Sequence, residues 1–331
     1  MAATAVRKSG GASFEAQQGS VSGLGRIIAI VGFSILILVA IIQVAPFVLT
    51  IANSFKCDPA ITNAPGAFIP TFTITSCTTV AADGSEGRLS AAQQTDGVFF
   101  DPSVDGYNAI LAGGSQSNNL PRWLFNTAVY SITVMVGRLI FDSMAGYALA
   151  RLKFPGNRAL FFIVLGVLMI PGVVLLIPRF LMLNQLGLLN SYFGYFVVLA
   201  ADAFGIILMK QFFEAIPKEV EEAALVDGAN RFVTFFRVIL PMATPALVAL
   251  AIFSFQGQWN NFMDALIIVG TNPSMFNLPM GLTVLQGSGQ DIQYDLVLAG
   301  AVITTLPMAI IFFLFQRYFV EGVNYSGLAG Q

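Results

Sequence analysis

The chain has 331 residues, 56% hydrophobic and only 10% charged, where a soluble domain carries about 25% charged residues, so it reads as a membrane protein. It contains no histidine, which excludes Ser-His-Asp and Cys-His nucleophiles, histidine metal sites and histidine proton relays. No lysine ends a G-x-x-x-x-G-K-[ST] phosphate loop, and a net charge of -2 argues against a nucleic-acid surface, so nucleotide chemistry has to come from another polypeptide.

Residues 1–26, rich in Gly, Ser, Ala and Gln, read as a disordered tail. A signal peptide fits less well, because the first apolar run starts late and exceeds an h-region of about 7–15 residues. Six apolar runs follow, at 27–54, 123–149, 160–183, 192–212, 246–270 and 296–319, each long enough for a hydrocarbon core of about 30 Å. The expected fold class is an all-α polytopic membrane protein with about six transmembrane helices. With the amino terminus in the cytoplasm, 11 of the 16 Lys and Arg residues fall on the cytoplasmic side. Lys56, Arg88, Arg122 and Arg179 fall outside and Arg138 within a span, which makes both termini cytoplasmic and residues 320–331 a second tail.

The first extracytoplasmic loop, 55–122, is long and acidic, with Asp58, Asp83, Glu86, Asp96, Asp101 and Asp105 outnumbering its basic residues. Within it, 67–80 alternates β-branched and aromatic residues with polar ones and predicts a short hairpin, whereas 81–94 reads as flexible insert. The loop is either a docking surface for an external partner or a solvated insertion. Cys57 and Cys77, the two cysteines of the chain, share it; a disulfide between them and two separate thiols are both open.

Pro46 and Pro171 are expected to kink spans one and three. In span two, Arg138 and Asp142 stand one turn apart and are expected to pair with each other; the alternative is an anion-binding Arg138, which would suit a phosphorylated substrate such as a glycerol phosphate. The segment 213–245 reads as two short helices. Pro217 takes the first helical position, Glu219, Glu221 and Glu222 fill the positive first turn, and Gly228 after Asp227 is the stop. A second helix from about 230 to 240 carries an apolar stripe of Phe232, Phe235, Phe236 and Ile239 ahead of Pro241 and Pro245. Such a segment is built to sit against something, a partner or its own bundle.

Span five holds Gln256, Asn260 and Asp264 at i, i+4 and i+8, on one face of an expected continuous helix, with Trp259 beside them. Amide, carboxylate and ring together suit a sugar, whose hydroxyls need paired hydrogen bonds and whose C–H face stacks on aromatics. The competing reading is polar glue toward a partner helix. A third reading takes Asp142, Asp202 and Asp264 as ion sites of an ion-coupled secondary transporter, and leaves 213–245 without a purpose.

The string Glu222-Ala223-Ala224, three residues, Gly228, nine residues, then Val238-Ile239-Leu240-Pro241 resembles the EAA motif of binding-protein-dependent ABC importer permeases. Asp227 and Ala229 fit the D-G-A form frequent in sugar permeases. From about Tyr107 to Val323 the chain resembles the MalG-type carbohydrate permease subfamily, in Asn126, the run from Ala145 to Leu152 with Phe154-Pro155-Gly156, Ile170-Pro171, Ile216-Pro217, Trp259-Asn260, Leu306-Pro307 and the run from Gln316 to Val320. It departs in a longer first loop and in a tail, 323–331, that lacks the G-A-V-K-G ending.

The resemblance implies a multi-pass subunit of a bacterial-type cytoplasmic (inner) membrane that imports a sugar or related polyol and is not itself an enzyme. It implies that the EAA loop is a coupling helix seated on a cytoplasmic ATPase. Glu222 would pair with that ATPase, Ala223 and Ala224 would allow close approach, and Asp227, Gly228 and Ala229 would form the turn, with Pro241 closing the motif. The implied partners are a second homologous permease subunit, two ATPase copies and an extracytoplasmic solute-binding protein or lipoprotein. No cofactor is expected on this chain, ATP and Mg belonging to the ATPase.

Overall fold

The computed structural model describes residues 23–57, 61, 78–80, 86–88, 103–112, 119–286 and 292–328. The chain divides into two units, one ending at Val48 and one beginning at Leu49. Helix α1, Gly23–Asn53, has 31 residues, a rod of about 46 Å that exceeds the hydrocarbon thickness, and contains Pro46. Its apolar sequence offers no polar stripe, as a lipid-facing span requires.

In the first loop, strands β1 (Thr78–Val80) and β2 (Glu86–Arg88) pair antiparallel, with Thr78 opposite Arg88. The hairpin therefore lies further along than the sequence suggests, and its second strand falls in the stretch read as flexible insert. The intervening Asp83-Gly84 is the local signal that reading underused. Cys57 is disulfide-bonded; Cys77, the other cysteine of the sequence, lies outside the described residues. Lys56 beside it is buried, which pushes its ammonium below the usual lysine range. Helix α2, Asp105–Ala112, docks back on the loop's start through a Tyr107–Ser54 hydroxyl pair at 2.7 Å and a Phe55–Tyr107 ring contact.

Helix α3, Leu120–Arg151, is the longest unbroken helix of the described core other than the last one, with 32 residues. Asn119 caps it, Pro121 sits in its first turn where no N–H is needed, and Arg151 closes it. The next three spans are all bent. In span three, α4 (Asn157–Leu168) and α5 (Leu176–Gln185, entered through a 3-10 turn at Gly172–Leu175) meet at 99°, with Pro171 in the break as its missing N–H dictates. In span four, α6 (Tyr192–Leu199) and α7 (Ala203–Ala215) meet at 46°.

Helix α8, Lys218–Val226, and helix α9, Arg231–Met242, make up the connection to span five, and α9 turns by 79° into α10, Thr244–Trp259. Span five is not continuous to residue 270. It stops at Trp259 and resumes as α11, Met263–Val269. After a 3-10 turn at Pro273–Met275 come α12, Leu278–Leu285, and α13, Tyr294–Leu328, which runs helically past residue 319, where the sequence reading begins a tail. By length and composition three helices can cross a membrane alone, and six spans result if each bent pair is one crossing.

Three buried clusters hold the second unit together, and α3 contributes to each. Trp123 packs with Ile110, Trp259, Leu278 and Leu296; Tyr130 and Val134 with Tyr195, Leu199 and Ile268; Tyr147 with Met209, Phe213, Phe235 and Ile239. In lipid the broken spans must find partners for their freed backbone groups within the protein, and for span four α3 supplies them through Arg138 and Asp142.

Candidate functional site

The segment between spans four and five is shaped by its own sequence. Pro217, at φ -57°, stands one position before α8 as its cap rather than inside it, and Glu219 and Glu221 occupy the positive first turn. At the other end the Gly228 N–H donates to the Leu225 carbonyl (3.1 Å) and the Ala229 N–H to that of Ala224 (3.0 Å), the paired bonds of a Schellman stop. This closure needs a left-handed residue, and Gly228 sits at φ +87°. Glu222, Ala223, Val226, Asp227 and Gly228 are exposed and Ala224 and Ala229 half-buried, so the motif's string forms an open edge.

Asn230 then caps α9, its side chain accepting from the Val233 N–H at 2.9 Å. The expected apolar stripe divides: Phe235 and Ile239 are buried against Tyr147 and Phe213, whereas Phe232 is 65% exposed and Phe236 41%. At about 100° per residue, Phe232 and Phe236 lie on one side of the stripe and Phe235 and Ile239 on the other, and a π turn runs through Phe235–Ile239. Pro241 lies exposed at the end of α9, its carbonyl accepting from the Thr244 hydroxyl.

Beneath this edge sits a group that sequence reasoning undervalued. Glu221, not Glu222, turns inward. Its carboxylate accepts from the Tyr147 hydroxyl at 2.7 Å and lies 3.9 Å from Arg151 and 3.7 Å from Arg231. Arg151 also donates to the Phe213 and Ile216 carbonyls at the end of α7. The segment is thereby moored to the end of span two. The signal was Arg151 itself, a cation at a helix end followed by an extended residue, which had been read only as part of a motif.

The polar residues of span five do not form the single face expected of them. Since α10 ends at Trp259, the i to i+8 spacing breaks, and Asp264 belongs to α11, where it meets Arg179 at 2.7 Å and Asn261 at 2.9 Å. Trp259 is 3% exposed, stacked on Phe255, its indole N–H donating to the Thr304 carbonyl, so it is core rather than an open ring beside Gln256. Gln256 and Asn260 remain together and exposed, linked by Asn260 Nδ2 donating to the Gln256 carbonyl at 3.2 Å. Asn277 from α12 reaches across to the Asn261 carbonyl and secures the helix break.

Arg138 and Asp142 do not pair with each other. Arg138 lies 3.5 Å from the Asp202 carboxylate and donates to the Leu199 carbonyl at 3.0 Å, while Asp142 accepts from the Asp202 N–H at 2.9 Å. Both side chains project toward span four, where a broken helix presents charges and dipole ends that an intact neighbouring turn lacks.

An α-helical bundle with one long strut, bent spans and a moored helix between the fourth and fifth defines a membrane transport component. The chain belongs to the family described as the binding-protein-dependent transport system inner membrane component, matched over residues 111–325. It is 36% identical over 234 residues to the arabinooligosaccharides transport system permease protein AraQ of Halalkalibacterium halodurans, covering 70% of this chain and 83% of that one. It is 29% identical over 310 residues to the trehalose/maltose transport system permease protein MalG of Thermococcus litoralis, covering 93% and 98%. A crystal structure of a bacterial ABC transporter involved in the import of the acidic polysaccharide alginate matches with a TM-score of 0.72 at 25% identity, over 90% of this chain and 98% of that one. The chain is thus an ABC transport permease of the inner membrane and not an enzyme.

Proposed function

We propose that the chain is one permease subunit of an ATP-driven importer that moves an oligosaccharide or related polyol into the cytoplasm, with both of its own termini on the cytoplasmic side. The single observation that carries the reading is the Schellman-closed helix Lys218–Val226, whose outer edge, Glu222-Ala223-Ala224, is free for a partner while its inner edge is moored through Glu221 to Arg151. An exposed, rigid, polar helix fastened to a transmembrane strut is a part that passes movement inward. The names of the relatives, permeases for arabinooligosaccharides and for trehalose and maltose, support the carbohydrate class.

The reading assigns one coupling helix to this chain, so a second homologous permease carries the other, and two ATPase copies hold the ATP and Mg. A solute-binding protein delivers the sugar from outside. Gln256 and Asn260 are the residues of span five that such a solute would meet. The test is co-purification of the tagged chain with the products of its neighbouring genes, followed by ATP-driven uptake of trehalose, maltose and arabinotriose in proteoliposomes. Gly228→Asp, which puts a Cβ at φ +87°, is expected to abolish uptake with the chain still folded in the membrane. Normal uptake by this variant, or a wild-type chain that binds no ATPase, would sink the assignment.

A further inference from the structure

Besides the Lys210–Glu214 pair within α7, three groups of charge join different elements of the second unit among the described residues: Glu221 with Arg151 and Arg231, Asp264 with Arg179, and Asp202 with Arg138 and Asp142. The first moors the coupling helix and the second steadies the end of span five. The third stands at the break of span four and serves nothing described so far.

There α6 ends at Leu199 and α7 begins at Ala203. Residue 202 is roughly 15 Å along the helix path from Tyr192 and roughly 20 Å from Ala215, so the break lies near mid-membrane. A break at that depth frees carbonyls and N–H groups that lipid cannot satisfy. Span two supplies them by sign: the Arg138 cation donates to the Leu199 carbonyl, at the negative end of α6, and the Asp142 anion accepts from the Asp202 N–H, at the positive end of α7. Asp142 is fully buried by this role.

Asp202 is different. Its side chain is 36% exposed, and among the described residues its carboxylate meets Arg138 alone, at 3.5 Å, which is an ion pair and not a hydrogen bond. Most of its acceptor capacity is unused. A charged group facing lipid at such depth is costly, which places this carboxylate toward water.

The same seam between α3 and α6 opens outward into a groove of about 520 Å³ lined by Ile132, Thr133, Val136, Tyr192, Phe193 and Phe196. Between this groove and the break the two helices close on each other at Gly137, where a Cβ would lie 2.8 Å from the Phe196 ring and 3.0 Å from Ala200 Cβ.

We propose that the break at 200–202 is a solute-binding station in which the Asp202 carboxylate accepts hydrogen bonds from adjacent hydroxyls of a sugar or polyol. Arg138 donates to a neighbouring oxygen of the same solute. This rests on the importer reading above and assigns its solute a place that Gln256 and Asn260 do not provide alone.

The test uses the full complex in proteoliposomes. Asp202→Cys is treated with a membrane-impermeant cationic methanethiosulfonate, with wild type as the background for the native cysteines. Labelling is expected, at a rate that differs between nucleotide-free and vanadate-trapped complex, and trehalose, maltose or arabinotriose should slow it. Asp202→Asn should raise the apparent KM for uptake about tenfold, as loss of a charged hydrogen-bond acceptor predicts, and Asp202→Glu should recover part of that loss.

No labelling at 202 in either state, with Ala201→Cys equally unreactive, overturns the proposal, since the break then faces lipid or a closed interface. An unchanged KM in Asp202→Asn overturns it too. A wild-type complex that imports none of the three sugars contradicts the carbohydrate reading, whereas nucleotide-dependent labelling at 202 in that same complex still supports a wet station at the break.

Discussion

The segment from Pro217 to Met242 and the break of span four are both departures from straight helix, yet they are held in opposite ways. In the first, each end is closed by its neighbours in sequence: Pro217 before α8, the Gly228 stop after it, Asn230 capping α9. In the second, nothing within a turn of Leu199 or Ala203 closes the gap, and residues some 60 positions earlier, Arg138 and Asp142, do so. A part that must meet a partner in water can be self-contained, because water satisfies whatever is left. A part inside a bilayer cannot, and borrows its partners from the nearest helix.

The largest test of this contrast is its exception. Arg151 and Tyr147 are the long-range polar ties of the Pro217–Met242 segment, and Arg151→Met would take a cation from the buried Glu221 carboxylate and the donor from two carbonyls at the end of α7, a loss of about 3–5 kcal/mol. Thermal unfolding of the purified complex in mild detergent should show a clear fall in Tm; an unchanged Tm would mean the segment needs no mooring. At the break, Asp142→Ala leaves the Asp202 N–H without its acceptor and should cost about 1–3 kcal/mol, with Asp142→Asn milder because an amide oxygen can accept the same bond. Equal Tm values for the two substitutions would show that the cap is idle. The smallest effect belongs to the self-contained region. Asn230→Ala removes one cap and should cost about 1 kcal/mol, read as faster amide exchange confined to α9. Exchange that spreads into span two would join the regions the comparison separates.

What was legible in the sequence follows the same division. The six apolar runs, the kink at Pro171 and the turn at Gly228 rest on local chemistry, where proline lacks a donor and glycine tolerates φ +87°. The end of span five was not legible, because Asn260 and Asn261 stop α10 only with Asn277 bonding the Asn261 carbonyl from 16 residues away. Arg138 and Asp142 were seen as a pair one turn apart, and spacing alone favours that; their actual partners lie on another helix whose break no local residue announces. Glu221 and Glu222 are neighbours of one kind, and which of them faces inward depends on where α8 lies against Tyr147.

Helix α3 is unbroken while three of the spans around it are bent, and it touches α8 at Arg151, the break of span four at Arg138 and the turn before α12 at Asn126, which bonds the Ser274 and Phe276 carbonyls. Its 32 residues make a lever of about 48 Å, so a tilt of roughly 5° at the cytoplasmic end displaces the outer end by about 4 Å. A stiff lever needs no relay of loosened joints: a tilt imposed at one end of it reaches the other as a displacement, and the bent spans lie around it.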